Sequence, residues 1–347
     1  MSLQLKVARS TWEKEQVYQL RSKVFIEEER RFDLSNKHIF DRFDSFAETS
    51  NFLAFDGDTP VAGIRLVLDN PVGLPAEEAF DFGPLRRSLH GGCATVGWFC
   101  ISRRFRRHPG LVVSLIQMCF RKMRQHGARH VLAVMHPPAL PLLARLIGAR
   151  PLGPEIMDHA LGVGIIPVHV DLEDLPDSNR KRFSDPDKHL FDDSAERRLF
   201  RKDETIVAGG DEDAHVYQIM RGVVRVQGRS EPMDKAGSKE QAADAMQLGP
   251  GQLFGVLSAL DGRGMASTLV AHSEDVDVMV WPRQSFIDQM YASPERMMWL
   301  CRIMSQRVRC TYDPMFGMPA AALSKALTAP VLIDAPVEHR RPMEVLL

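Results

Sequence analysis

Residues Val96 to Phe120 place an apolar strand, a basic turn and an apolar helix in immediate succession. The turn carries Arg103, Arg104, Arg106, Arg107, His108 and Gly110. A helix N-terminus behind such a turn offers unpaired N–H groups, the positive end of a dipole and guanidinium forks to one anionic ligand. The chemistry this suits is capture of a phosphate-bearing donor. Around it, Phe82 to Pro154 hold no Asp or Glu but twelve cations: Arg86, Arg87, Arg103, Arg104, Arg106, Arg107, Arg121, Lys122, Arg124, Arg129, Arg145 and Arg150. Most of these can equally be solvated helix faces, and Arg103 to Arg107 are the run that solvation explains least. Cys100 and Cys119 have apolar neighbours and read as core rather than nucleophiles. His90, His108, His126, His130 and His136 lack metal-ligand spacing, so no metal is expected.

These residues need a frame to hold them. Trp12 to Arg31 reads as a helix, with Val17, Leu20, Val24 and Phe25 at helical spacing. Asn51 to Val67 reads as a hairpin about the turn signal Asp56-Gly57-Asp58. A strand from Thr95 to Ile101 leads to a helix from about Pro109 to His126, a strand His130 to Met135 and a short helix Pro137 to Leu146. That order suits an α+β layer on a mixed sheet. Leu175 to Asp193, with its Pro, Ser, Asn and clustered charge, reads as a linker. Beyond it, short strands separated by Gly have the spacing of a small antiparallel barrel or jelly roll. Helices Arg283 to about Met290 and Pro294 to Arg309 close it, and the tail after Thr311 shows no period. The expected division is 1–175, a linker at 176–193, a barrel at 194–311 and a tail at 312–347.

At 347 residues the chain exceeds one ordinary core. Its formal net charge is −1, so the basic block is local, and acids are dense from Asp171 to Glu240. A general nucleic-acid binder would carry a net positive charge. Five Cys without C-x-x-C spacing point to reduced thiols in a cytoplasmic setting. No apolar run reaches the length of a membrane span and the start lacks signal-peptide features.

Several stretches resemble the GNAT superfamily, and within it the acyl-homoserine-lactone synthases and long-chain N-acyl amino acid synthases. Tyr18 to Glu29 (Y-Q-L-R-S-K-V-F-I-E-E-E) is similar to their opening helix, with Arg21 and Phe25 in matching places. Phe40 to Phe46 (F-D-R-F-D-S-F) resembles their paired-aspartate motif through Asp41 and Asp44, with Ile39 where the lactone synthases carry Glu. Gly63 to Val67 matches the Gly-x-Arg-Leu strand through Arg65, and Ala133 to Pro154 resembles the late strand and helix. The likeness spans roughly residues 10 to 170.

The resemblance implies catalytic or anchoring roles for Arg21, Asp41, Asp44 and Arg65. Asp41 and Asp44 can equally pair with Arg21 or Arg65 and simply hold the entry loop. The likeness further implies a donor site at Ile101, Arg106, Arg107, Gly110, Leu111 and Val112, where the family carries Q/R-x-x-G-x-G/A. Val112 stands in the last small position and crowds a pyrophosphate more than a single phosphodiester. This favours the phosphopantetheine arm of an acyl carrier protein over acyl-CoA, and an Arg face would steer an acidic carrier. The strand before the turn lacks the carboxylate many GNAT enzymes carry, leaving Asp41, Asp44, Glu27, Glu28 and His159 as bases or amine anchors.

Residues 190 to 310 resemble the cyclic-nucleotide-binding domain family, with Gly209, Gly222, Gly251 and Gly255 at the barrel corners. The family's phosphate cassette implies a pocket at Gly255, Val256, Arg263, Ser267 and Thr268. Val256 stands where the family has its ribose-binding Glu, and Met265 where it has its phosphate-binding Arg. Losing that Arg removes a charge-assisted interaction of about 1.5–3 kcal/mol, so the pocket reads as degenerate, with cAMP or cGMP a weak candidate ligand. No helix-turn-helix follows, because Asp313-Pro314 and Pro319 break helices.

The expected fold is α+β: a GNAT-like mixed sheet with flanking helices, followed by a cNMP-like β jelly roll with closing helices. The expected function is transfer of an acyl group, of long-chain type, from acyl carrier protein or acyl-CoA to an amine such as an amino acid. The barrel is then a regulatory or dimerisation module that can form a homodimer. Two other readings stand beside this: an acetyltransferase gated by cyclic nucleotide, and a non-catalytic scaffold in which both sites have decayed.

Overall fold

The computed structural model describes residues 2–31, 38–108, 110–158, 161–183, 194–212, 215–227 and 246–312; the tail beyond lies outside the described residues. The chain divides into two compact units, Met1–Met298 and Trp299–Leu347.

The first unit opens with β1 (Leu3–Val7) and α1 (Thr11–Ser22). The Ser10 hydroxyl accepts from the Glu13 N–H and the Glu13 carboxylate accepts from the Ser10 N–H, a reciprocal cap that starts α1. The helix expected to reach Arg31 instead passes at Lys23 into a π-helical turn, Lys23–Glu28. Such a turn inserts a residue into the 3.6 period and re-aims the side chains after it. The hairpin forms as β2 (Thr49–Asp56) and β3 (Thr59–Leu68), with Gly57 at φ 60° in its turn. After α2 (Gly83–Ser88) come β4 (Gly92–Ile101), α3 (Leu111–Gln125), β5 (Ala128–Met135) and α4 (Leu140–Ile147). Then β6 (Arg150–Pro151), β7 (Ile156–Asp158) and β8 (Val163–Asp171) complete this layer. In the stretch expected to be a linker, α5 (Asp177–Phe183) forms and Phe183 packs on Phe120 of α3, rings 5.6 Å apart.

The barrel comes next as β9 (Glu196–Arg201), β10 (Thr205–Val207), β11 (Val216–Arg221), β12 (Val224–Gln227), β13 (Gln247–Leu248) and β14 (Leu253–Phe254). It ends in α6 (Val256–Asp261), β15 (Thr268–Ala271), β16 (Asp275–Trp281), α7 (Arg283–Tyr291) and α8 (Pro294–Tyr312). One sheet crosses both folds in the order β14-β11-β16-β9-β1-β2-β3-β4-β5-β8-β6, with β7 on β8; a second runs β10-β15-β12-β13. The join is β1 on β9, antiparallel, with Leu3 opposite Leu199 and Leu5 opposite Arg197.

Two packing decisions position everything else. On α3, Leu111, Leu115, Cys119 and Met123 recur at four-residue spacing and are fully buried against the sheet. Each of the Leu and Met side chains contributes on the order of 1.5–3 kcal/mol. The barrel closes its own core around Ile219, Val224, Ala271, Val276, Val278 and Val280, the alternating inward residues of short strands.

Candidate active site

The parallel pair β4–β5 is the irregular place in the sheet. It is joined only at Gly92–Ala128, Cys93–His130 and Ala94–Val131. Beyond this, β4 keeps pairing with β3 as far as Ile101, and β5 with β8 as far as Met135. The two strands therefore part, and backbone groups on their facing edges leave the ladder. Thr95 marks the fork, its hydroxyl donating to the Leu132 carbonyl at 2.8 Å. Past the fork β4 bulges: Trp98 and Phe99 together oppose Ile64, and Trp98 adopts φ 49°. A bulge turns a side chain out of the strand's alternation. Here it brings the Trp98 indole N–H to Asp41 Oδ2, 3.2 Å away.

Asp41 belongs to a charged cluster holding all four residues that the paired-aspartate resemblance singled out. Arg21 donates to both Asp44 oxygens, at 2.8 and 3.0 Å, and to Asn51 Oδ1 at 2.7 Å. Arg65 donates to Asp41 Oδ1 at 2.6 Å and Asp44 Oδ2 at 3.2 Å. The Arg21, Asp44 and Arg65 side chains are nearly sealed, whereas 29% of the Asp41 side chain is exposed. Burial alone would raise the Asp44 carboxyl, but hydrogen bonding and charge from Arg21, with Arg65 behind, hold it below the ordinary aspartate range. Asp44 is thus locked as an ionised strut, while Asp41 keeps an oxygen towards the bulge. Burial, then the charge of Asp44, pushes the neighbouring Tyr18 phenol up. The Tyr18 and Trp98 rings lie against the Arg21 guanidinium, with centroids 5.6 and 5.4 Å away, and together with Ile26, Leu161 and Val163 they pack half-buried against a core that includes Leu20, Phe25 and Leu53.

The basic turn sits at the far end of β4. Gly110, at φ 106°, is the N-cap of α3 and supplies no side chain there; only glycine takes this conformation without strain. Leu111 is core and Val112 packs against it. Arg106 is not a free cation: it donates to the Ile101 carbonyl at 3.1 Å and pairs with Glu28 and Glu29 of the π-helical end at 3.3 and 3.0 Å. Glu28 also accepts from the Arg103 N–H. Arg103, Arg104 and Arg107 face solvent. Glu27 joins none of these contacts, and His159 lies outside the described residues.

In the barrel, the cassette positions are brought together without polar convergence. Gly255 has φ 80° and a Cβ there would collide with the His215 carbonyl. Val256 and Met265 are buried apolar groups, Met265 in the barrel core. Arg263 is 87% exposed beside Asp261. Thr268 Oγ1 accepts from the Gly209 N–H at 2.9 Å, and Ser267 is half-buried next to it.

Residues 16–171 match the family model of the N-acyl amino acid synthase FeeM, and residues 197–292 that of the cyclic nucleotide-binding domain. The chain joins an acyltransferase domain of the N-acyl amino acid synthase type to a domain of the cyclic-nucleotide-binding type. Among solved structures it is similar to FeeM from uncultured soil microbes, at 14% identity, over 50% of this chain and 93% of that one, with a TM-score of 0.44. The CoA-dependent acyl-homoserine lactone synthase BjaI, solved with SAM and isopentyl-CoA, gives 21% identity over 49% and 79%, TM-score 0.37. A cyclic nucleotide-binding domain from Methylobacillus flagellatus KT gives 18% over 35% and 67%, TM-score 0.29. No curated protein matches this chain. Among the described residues no helix is long and apolar enough to cross a membrane.

What sequence reasoning missed in the acyltransferase domain is Asn51, Trp98 and the fork itself. An Asn in a hairpin strand and a Trp in an apolar strand carry no sequence signal of a shared hydrogen-bond network. Only the odd run Gly97-Trp98 within a strand hinted at a bulge.

Proposed function

We propose that the acyltransferase domain moves an acyl group from a phosphopantetheine thioester, on an acyl carrier protein or on CoA, to an amine such as an amino acid. One observation carries this reading: the fork between β4 and β5 opens beside the partly exposed carboxylate of Asp41 and leads to the N-terminus of α3. An extended pantetheine arm can lie along the freed strand edges, as an added strand does. Its phosphate then meets the first turn of α3 and its thioester lies near the bulge at Trp98. The amine nitrogen attacks the thioester carbonyl carbon, strand N–H groups at the fork stabilise the oxyanion, and the C–S bond breaks to release the thiol. The amine's proton passes to Asp41, which Arg65 and Trp98 hold in place, and from Asp41 to the leaving thiolate.

Three features refine the donor. Val112 narrows the turn as a pyrophosphate would meet it, and Arg106 is already paired. Exposed Arg103, Arg104 and Arg107 leave a basic surface at the mouth, which suits an acidic carrier protein by charge steering. We therefore favour the carrier-bound donor and a cytoplasmic setting, with residues 1–175 as the catalytic part and 194–311 as the barrel. The test is N-acyl product, read by mass spectrometry from purified protein given acyl carrier protein, acyl-CoA and a panel of amino acids. Asp41→Asn lowers turnover about 10²–10⁴-fold with the fold intact; undiminished turnover removes Asp41 as base.

A further inference from the structure

The barrel reaches the start of α3 with two carboxylates. Asp277 and Asp275 alternate along β16, and each lies against the first turn of α3. Asp277 Oδ2 accepts from the Ser114 hydroxyl at 2.6 Å, and its other oxygen accepts from Arg197 Nε at 3.0 Å. Asp277 and Arg197 are sealed from solvent. Asp275 lies one step further along, at the N-cap itself. A Cβ at Gly110 would stand 2.9 Å from Asp275 Oδ2 and would collide with the Arg221 guanidinium. Arg221 and Asp275 pair at 2.6 Å, with 27% and 20% of their side chains exposed. The register of β11 against β16 shifts between Ile219 and Arg221, which places Arg221 at this edge. His108 of the turn is half-buried nearby.

The roles of the two acids differ. Asp277 has a sealed cation and a hydroxyl donor, and it docks one fold on the other. Asp275 has one partially exposed cation, and burial pushes its carboxyl up against the pull of Arg221. It stands where the dipole of α3 is positive and where no side chain caps the helix. A negative group at that place is what the proposed donor phosphate would also be.

We propose that the barrel sets the donor affinity of the acyltransferase domain through Asp275 and Arg221: the carboxylate competes with the donor's phosphate for the start of α3, and Arg221 passes from the carboxylate to the phosphate when the donor binds. This rests on the reading that the donor's phosphate sits at that turn. The barrel then acts on the reaction through an ion pair at its rim, with no ligand in its own pocket. Because binding linkage is reciprocal, donor binding loosens the contact between β16 and the turn.

The experiment measures dissociation constants on the full chain with two probes, a hydrolysis-resistant acyl-CoA thioether and an acyl carrier protein bearing an amide-linked acyl arm. Asp275→Asn tightens whichever probe binds by about 5-fold or more, the low end of ordinary coupling between sites. Arg221→Gln weakens the same probe by about as much. The opposite signs separate this from a plain docking contact, whose loss would move both variants the same way and lower both melting temperatures alike. Val112→Glu, which sets a carboxylate in the first turn of α3, reports on the underlying reading. If Val112→Glu abolishes binding while Asp275→Asn leaves it unchanged or weaker, the donor turn stands and the barrel's role is overturned. If Val112→Glu leaves binding intact, or neither probe binds the wild-type chain, the turn assignment and this proposal both fail.

Discussion

Two clusters in this chain look alike on paper, each a buried Arg–Asp pair with a polar neighbour. Arg21 and Asp44 take Asn51 and Arg65 as companions; Arg197 and Asp277 take Ser114 and Gln117. Both pairs are almost wholly sealed. The difference lies in what they lead to. The first is chained through Arg65 to Asp41, a carboxylate with solvent access beside a bulged, half-unpaired strand. The second ends in a helix side and leads nowhere. Buried charge alone therefore says little about chemistry. What marks the first cluster is one member left partly exposed, at a place where backbone groups leave the ladder.

The largest effects come from breaking either pair. Asp44→Ala leaves the sealed Arg21 guanidinium without a carboxylate and Asp277→Ala does the same to Arg197, and each costs about 3–5 kcal/mol in urea denaturation. Removing both partners sharpens the contrast. Arg197→Met with Asp277→Leu recovers most of the lost stability, because a well-packed apolar pair of similar volume replaces the ions. Arg21→Met with Asp44→Leu restores stability less, since Asn51 loses both of its side-chain partners, and turnover stays lowered because the Asp41 N–H loses Asp44 as its acceptor while only Arg65 and Trp98 still hold the carboxylate. Equal recovery of activity in both doubles would erase the distinction between the clusters.

Acid probes the first cluster in a second way. The Asp44 carboxyl is held below the ordinary aspartate value of 3.8 in the folded chain. A depressed carboxyl stabilises the fold fully at pH values above its unfolded pKa. That contribution is lost as pH falls below 3.8 towards the folded value. Asp44→Asn flattens this acid limb of the stability curve, measured by thermal melting between about pH 5 and roughly pH 2; an unchanged limb would mean Asp44 gains nothing from Arg21.

A smaller effect is expected in the barrel. Gly255→Ala forces a side chain into φ 80° and against the His215 carbonyl, at a cost of about 1–3 kcal/mol. Met265→Arg, which restores the cassette residue by name, puts an unpaired cation into the barrel core and destabilises the protein without gain of cyclic nucleotide binding in a thermal-shift assay. The two sites thus differ in kind: the acyltransferase side holds its charges inside and pairs them, whereas the barrel has core side chains where charges would stand.

How much of this was legible in the sequence depends on range. The hairpin was readable because Asp56-Gly57-Asp58 is a local turn signal, and α3 because its apolar spacing is regular over four turns. The charged cluster was readable as residues but not as geometry, since Arg21, Asp44, Asn51, Arg65 and Trp98 meet from five separate elements. Arg106 looked available because its partners, Glu28 and Glu29, lie far away in sequence. The join of β1 with β9 was hidden because β9, E-R-R-L-F-R, carries three arginines and a glutamate. Its pairing is decided by backbone registry and by where Arg197 finds Asp277. Arg221 and Asp275 were invisible for the same reason.

The smallest expected effect tests the direct-attack reading. Cys100 lies on β4 two residues beyond Trp98, near enough to the fork to suggest an acyl-cysteine intermediate. Burial pushes its thiol up to about 12, so the thiolate that attack requires is almost absent near neutral pH. The thiol of Cys119 is raised further, also by burial. Cys100→Ala should therefore change turnover by no more than about 2-fold, apart from a stability loss of roughly 1 kcal/mol for the small void it leaves. Rapid-quench kinetics on the wild-type chain should show no burst of thiol release and no acylated protein by intact mass. A burst, or turnover lost in Cys100→Ala at full fold, would move the chemistry from an amine guided by Asp41 to a covalent relay through β4.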